Sequence, residues 1–155
     1  MALPHQTQSV LLLALSLSLF LQSCSHGTKQ FKSNCDADKE FVHISFKQLM
    51  DSLPDYDQQY VEVSGKYEED KEVSALICDS LLADHSSKNA LWVNFSQDCP
   101  LYLTGTHEGL FEYTDNGFTQ LKDKAITIRG MVDMRNKGHL KQYKATIDRV
   151  SLVKY

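Results

Sequence analysis

Short runs in which apolar and polar residues alternate are the feature that most limits what this chain can fold into. Residues 60–65 read YVEVSG, and residues 125–134 read AITIRGMVDM. A period of two indicates a strand that is buried on one face only. Each run contains an internal glycine, Gly65 or Gly130. Glycine inside a strand is typical of a bulge or a sharp coil, so both strands are expected to bend strongly.

Three further runs are rich in strand-forming residues and also predict strands: 72–79, 90–96 and 143–154. Short polar segments at 69–71 and 136–138 predict tight turns. In the last run the apolar residues do not keep one parity, which predicts a bulge near Asp148. Strands that coil so sharply suit a small five-stranded barrel, because closure leaves no open sheet edge. A small antiparallel β-sandwich is the alternative.

The segment before these strands predicts one short helix, over about 45–53. Ser45 followed by Gln48 is a capping-box pattern. Apolar residues then recur at helical spacing, at Phe46, Leu49, Met50 and Leu53. Pro54 ends the run. The apolar stripe is expected to pack the helix against the sheet.

An apolar run near the beginning of the sequence predicts export. Residues 1–24 contain no Lys, Arg, Asp or Glu, and residues 10–21 read VLLLALSLSLFL. The run is shorter than the roughly 20 apolar residues that span a bilayer, and it has the length of a signal-peptide core. Leu21-Gln22-Ser23-Cys24 follows and resembles the lipobox of bacterial lipoproteins. The resemblance implies cleavage before Cys24 and acylation of that cysteine. The alternative is an ordinary secretory leader and a secreted soluble protein.

The chain is therefore expected to divide into a signal peptide over 1–23, a flexible tether over 24–40 and one domain over 41–155. The tether is polar and shows no periodicity, which is typical of unstructured linkers. All 16 basic and 20 acidic residues lie after Cys24, so the net charge of −4 belongs to the exported part. An acidic domain lacks the basic face that non-specific nucleic-acid binding needs. The expected location is the cell envelope, with the lipid in the membrane.

The order of these elements resembles the oligonucleotide/oligosaccharide-binding (OB) fold, and more specifically OB-fold-type bacterial lipoproteins of unknown function. The resemblance covers about residues 44–155, from the short helix through YVEVSGKY, EVSALI, ALWVNF and AITIRG to the turn KGH. One segment departs from it. OB folds usually have a helix between strands three and four, whereas Asn116-Gly117 between strand-forming residues predicts a hairpin there.

The resemblance implies a ligand face across strands two and three, flanked by the first and fourth turns. Aromatic residues expected to stack on a ligand there are Trp92, Tyr60 and Tyr67; each of them could instead pack on the sheet. Glu72 follows the first turn and His139 follows the fourth, so the two side chains are expected to meet at one end of the barrel. Such a pair would fix both turns or form the polar corner of the site.

Cysteine usage leaves two possibilities open. Cys78 ends predicted strand two and Cys99 follows predicted strand three, so a bond between them is one expectation. The other is two buried free thiols that behave as small apolar side chains. An acylated Cys24 would leave Cys35 unpaired in the tether. With a plain secretory leader, the four cysteines could form two bridges.

No motif for a nucleophilic hydrolase, a phosphate loop or a zinc site occurs in the sequence, so we expect no catalytic activity, no metal and no cofactor. The predicted function is a lipid-anchored binding module for a sugar, a peptide or a protein of the envelope. The alternative is a structural or assembly component of the envelope that has no small ligand.

Overall fold

A computed structural model describes residues 27–80, 83–112 and 117–155. The leader and Cys24 lie outside these residues, and so does Asn116 of the predicted hairpin, which stays a prediction. The described strands are β1 Gln30–Lys32, β2 Val42–Ile44, β3 Tyr60–Asp70, β4 Val73–Ile77, β5 Leu91–Val93, β6 Tyr102–Leu103, β7 Ala125–Asp133 and β8 Thr146–Lys154. The α-helix in these ranges, α1, spans Phe46–Asp51, and a 3-10 turn at Leu53–Tyr56 follows it.

Five of the strands close into a barrel, as the sequence predicts. β3 pairs with β4 and β4 pairs with β5, both antiparallel. β5 then pairs with β8 in parallel, β8 pairs with β7, and β7 returns to β3, the last two antiparallel. The cycle leaves none of the five strands as an open edge. This closed arrangement is consistent with an OB-like fold.

The two strand glycines lie where neighbouring strands approach too closely for a side chain. A Cβ added at Gly65 would lie 2.5 Å from the carbonyl oxygen of Ile77, where β3 exchanges β7 for β4 as its partner. A Cβ at Gly130 would lie 2.6 Å from the carbonyl oxygen of Asp148. The register of β7 and β8 shifts between Arg129 and Met131, beside Gly130. The bulge predicted near Asp148 is therefore confirmed.

Alternate residues of the barrel strands fill its interior. Side chains that are almost fully buried include Val61, Val63, Tyr67, Leu76, Leu91, Val93, Ile128, Ile147 and Val153. Helix α1 closes one side of this core. The capping box is present, with Ser45 accepting a bond from the Gln48 backbone N–H. Phe46, Leu49 and Leu53 are buried against the core, as the predicted stripe requires.

The expectation of an unstructured tether over 24–40 is wrong for the part that the structure describes. β1, at Gln30–Lys32, pairs antiparallel with β8 and also with β6. Phe31 is 2% exposed and belongs to the barrel core. The polar composition of this segment shows no periodic pattern that would predict a strand. The strand is three residues long and buries one apolar side chain, Phe31, while its backbone pairs on both sides.

The predicted Cys78–Cys99 bond is also wrong. The disulfide joins Cys35 to Cys99, with the Cα atoms 5.4 Å apart, and Cys78 is a free thiol. β4 and β5 are antiparallel, with Leu76 opposite Leu91. Cys78, just after β4, therefore lies near the start of β5, whereas the chain reaches Cys99 only after leaving the far end of β5.

Candidate functional site

Trp92 lies on the outer face of β5, where the sequence predicts a ligand. Its indole ring is 5.2 Å from the ring of Tyr143, at an interplanar angle of 57°. The β7–β8 loop also lies against the indole, because a Cβ added at Gly138 would be only 2.5 Å from Trp92 Cγ. Gly138 has a φ of +63°, a conformation that glycine adopts without strain. The chain itself therefore covers part of the ring that was expected to stack on a ligand.

A second apolar cluster surrounds Trp92 on the outer face of β4 and β5. Its buried members are Ala75, Ile77, Ala90 and Tyr143. Tyr143 was not among the predicted site residues, although it begins the run that predicts the last strand. Because its ring packs beside Trp92, this face forms a small second core against which Trp92 and Val73 are partly buried.

Glu72 and His139 meet at the rim of this face, as the sequence predicts. The Nε2 atom of His139 lies 3.5 Å from Glu72 Oε2, and their side chains are 38% and 74% exposed. The contact joins the β3–β4 turn to the β7–β8 loop. An ion pair this exposed contributes less than about 1 kcal/mol to stability. Its role as the corner of a ligand site stays a prediction.

The other two aromatic residues predicted for this face lie elsewhere. Tyr67 is 2% exposed inside the barrel, and its hydroxyl is 3.0 Å from Ser74 Oγ. Burial raises the pKa of Tyr67 well above its ordinary value. Strand parity explains the error, since Tyr67 shares the inward parity of Val63. Tyr60 does point outward, but it lies at the start of β3, and its hydroxyl donates to Asp36 at 3.1 Å.

Asp36 is the centre of a polar contact, here called the Asp36 latch, that holds the N-terminal segment on the barrel. Arg149 donates two bonds to its carboxylate, from Nε and Nη2, each at 2.8 Å. Tyr60 donates the third. The hydrogen bonds from Arg149 are the main reason why the pKa of Asp36 lies below its ordinary value. The latch adds to the Cys35–Cys99 bond and to the pairing of β1 with β8 and β6, which also attach this segment to the barrel.

We expect Asp36→Asn to lower the free energy of unfolding by about 1–3 kcal/mol at neutral pH, because a covered charged hydrogen bond is lost. Asn tolerates the positive φ of 54° at this position. The wild-type advantage should be complete above the unfolded carboxyl pKa of about 3.9 and should disappear as pH falls through the lowered native value. Urea denaturation across this pH range measures it. The control is Asp55→Asn at an exposed position, and an equal, pH-independent loss in both variants would contradict the latch.

An open groove lies on a different side of the barrel, between the segment after β5 and the turn at 109–112. Its volume is about 600 Å³. Two aromatic side chains at this groove are unusually exposed, Phe111 at 51% and Tyr102 at 45%. Further apolar lining comes from Phe95, Pro100 and Leu101, and polar lining from Ser96, Gln97 and Glu112. We call this surface the aromatic groove.

The aromatic groove rests on fixed parts of the fold. Phe95 forms its floor, with edge-to-face contacts to Phe111 at 5.2 Å and to the core ring of Tyr67 at 6.0 Å. The wall at Cys99 is bonded to Cys35. A site that is held in shape before the ligand arrives loses little conformational entropy on binding. The geometry therefore suits recognition better than the filled face around Trp92.

Sequence reasoning missed the aromatic groove entirely. Phe95 lies within the predicted strand at 90–96, and Tyr102 and Phe111 lie in a stretch without regular alternation. The available signal was the number of aromatic residues in this irregular segment, since large apolar side chains in loops often mark binding surfaces.

Neither metal ligation nor a membrane span is visible in the part of the chain that the structure describes. No group of three or more His, Cys, Asp or Glu side chains there could hold a metal ion. No helix among the same residues is both long and apolar enough to cross a membrane.

We compared the chain with protein-family models, with curated proteins and with solved structures, and found no significant match.

Proposed function

We propose that this protein is an exported, lipid-anchored binding module of the cell envelope, without catalytic activity, and that its ligand occupies the aromatic groove. The observation that carries the proposal is the pair of exposed rings, Tyr102 and Phe111, which line the groove together with Phe95. The Phe95 ring contacts the Phe111 ring edge to face. Contiguous apolar rings with a few polar groups at the margin are typical of ligand sites and of interface centres.

The sequence before the barrel supports the lipid anchor. The lipobox-like residues Leu21 to Cys24 follow an apolar run of signal-peptide length. β1 begins at Gln30, so few residues separate Cys24 from the barrel. Several acyl chains on one cysteine give stable attachment, since each buried methylene contributes about 0.8 kcal/mol.

The margin of the groove limits the ligand chemistry. Glu112 is the one carboxylate among its described lining residues, and Ser96 and Gln97 offer neutral hydrogen-bonding groups. A negative charge beside the rings disfavours an anionic ligand. A neutral glycan or an uncharged or basic peptide segment fits both the rings and these polar groups.

A photo-crosslinking residue at position 111, in cells, tests this proposal. We expect p-benzoylphenylalanine in place of Phe111 to give specific adducts, whereas the same residue at Leu140 gives none. Leu140 is the matched control because it is an apolar side chain with 72% exposure away from the groove. Once the adduct identifies the ligand, Phe111→Ala should weaken binding at least about fivefold, as for a central interface residue. Equal labelling at both positions, or none at either, would contradict a ligand in the groove.

One observation favours the alternative role as an assembly component. β2 pairs with β3 through one edge, and Val42 on this short strand is 43% exposed. An apolar edge strand can add a strand from another protein. A photo-crosslinking residue at position 42 distinguishes the roles: envelope-protein adducts there, without adducts at 111, would favour assembly.

A further inference from the structure

Four lysines lie at the corner of the barrel where the N-terminal segment enters the described structure. They are Lys29, Lys122, Lys124 and Lys154, and we call them the lysine corner. The backbones of Lys29 and Tyr155 exchange two hydrogen bonds, at 2.8 and 3.0 Å. The Nζ of Lys124 lies 4.3 Å above the Tyr155 ring. Lys154 precedes Tyr155 and pairs with Gln30, the first residue of β1.

The side chain of Gln120 links two residues of this region, Lys29 and Tyr155. Gln120 Oε1 accepts bonds from Lys29 Nζ at 2.9 Å and from the Tyr155 hydroxyl at 3.0 Å. In the same turn, the Nζ of Lys122 lies 3.4 Å from the centre of the Phe118 ring. The corner therefore combines ammonium groups with two aromatic rings, the composition that favours the boundary between lipid and water.

The ammonium groups of the corner take no part in the salt bridges of the described residues. Within the described residues, none of the four lysines has a carboxylate within 4.0 Å, whereas the nearby Asp123 pairs with Lys66 at 3.5 Å. The carboxylate of Glu69 accepts two bonds from Thr119 instead. Burial, and after it the charge of Lys29, hold the pKa of Lys124 below its ordinary value.

The short segment between Cys24 and Lys29 limits the distance between the lysine corner and a lipid on Cys24. Four residues lie between Cys24 and Lys29. A fully extended chain advances at most about 3.5 Å per residue, so five steps place the Cα atom of Cys24 within roughly 18 Å of the Cα atom of Lys29. A lipid on Cys24 would thus hold the lysine corner close to the headgroups, at a distance comparable to the reach of electrostatic attraction in dilute salt.

We propose that the lysine corner docks on the anionic headgroups of the membrane that holds the Cys24 lipid and so fixes the orientation of the barrel, an inference that rests on the proposed lipid anchor. Each lysine near an anionic surface strengthens the attachment several-fold. A docked corner would hold the barrel in one orientation relative to the membrane.

Lysine footprinting of the mature chain, purified from membranes and reconstituted in vesicles, tests the docking. Acetylation rates are compared in phosphatidylcholine vesicles and in vesicles that also contain phosphatidylglycerol. We expect the four corner lysines to react several-fold more slowly in the anionic vesicles, and high salt should remove this protection. Lys47, Lys88 and Lys137 are the matched controls, and their rates should stay unchanged. Equal rates in both vesicle types, or equal protection of corner and control lysines, would overturn the docking.

The same digest separates this inference from the proposed function, because it contains the N-terminal peptide. An acylated Cys24 peptide without corner protection overturns the docking alone. Corner protection without an acyl mass overturns the anchor and retains the surface. Loss of both results overturns both.

Discussion

Cys99→Ser should lower the free energy of unfolding by about 4 kcal/mol, because the Cys35–Cys99 bond spans a sequence separation of 64 and a loop of that size is costly to close in the unfolded chain. The bond also holds one wall of the aromatic groove. Chemical denaturation of the oxidised protein, without reductant, measures the loss.

Three comparisons make the disulfide test specific. Cys35→Ser should cost as much as Cys99→Ser, and the double variant no more than either one, because all three remove the same bond. Cys78→Ser should cost much less, since Cys78 is a half-buried free thiol. A large loss in Cys78→Ser together with unchanged stability in Cys99→Ser would show that the cysteines pair differently.

Gly65→Ala should destabilise the protein by about 2–3 kcal/mol, the cost of forcing an extra methyl group into a tightly packed site. The sign of this change in the free energy of unfolding distinguishes a crowded glycine position from an open one. Replacing glycine by alanine in an unstrained position usually stabilises by about 0.4–1 kcal/mol, because the unfolded chain loses freedom. At Gly65 the new Cβ would lie 2.5 Å from the Ile77 carbonyl oxygen, a backbone atom of β4 that cannot move without disturbing the barrel.

Ser64→Ala is the matched control for Gly65→Ala. Ser64 is the preceding residue of β3, its side chain is exposed, and its hydroxyl lies 2.8 Å from that of Thr127. We expect a change below about 1 kcal/mol for the loss of one exposed hydrogen bond. A stable Gly65→Ala protein, measured by thermal and urea unfolding, would show that β3 and β4 do not approach so closely.

Much of the fold follows from local patterns. The period-two runs and the capping box at Ser45 reflect contacts along one strand or between near neighbours, and the glycines at 65 and 130 could be recognised by their position inside strand runs. Barrel closure follows from these because sharply coiled strands need partners on both edges. The strand at 30–32 did not follow, since it exists only through its pairing with β8 and β6.

Less of the candidate site could be predicted from the sequence. Glu72 and His139 could be placed together because turn positions follow from barrel topology. Tyr67 could have been excluded by its inward parity alone. The cover over Trp92 depends on the path of the β7–β8 loop, and the groove depends on how Phe95 meets Phe111 across an irregular segment. Such contacts leave no local periodic signal.

The mass of the N-terminal peptide of the mature protein tests the central claim, that this barrel is a lipid-anchored module, most directly. We expect the peptide to begin at Cys24 and to carry acyl chains, and the protein to enter the detergent phase. Cys24→Ser should abolish both results. A mature chain that begins elsewhere, carries no acyl mass and partitions into the aqueous phase would contradict the account.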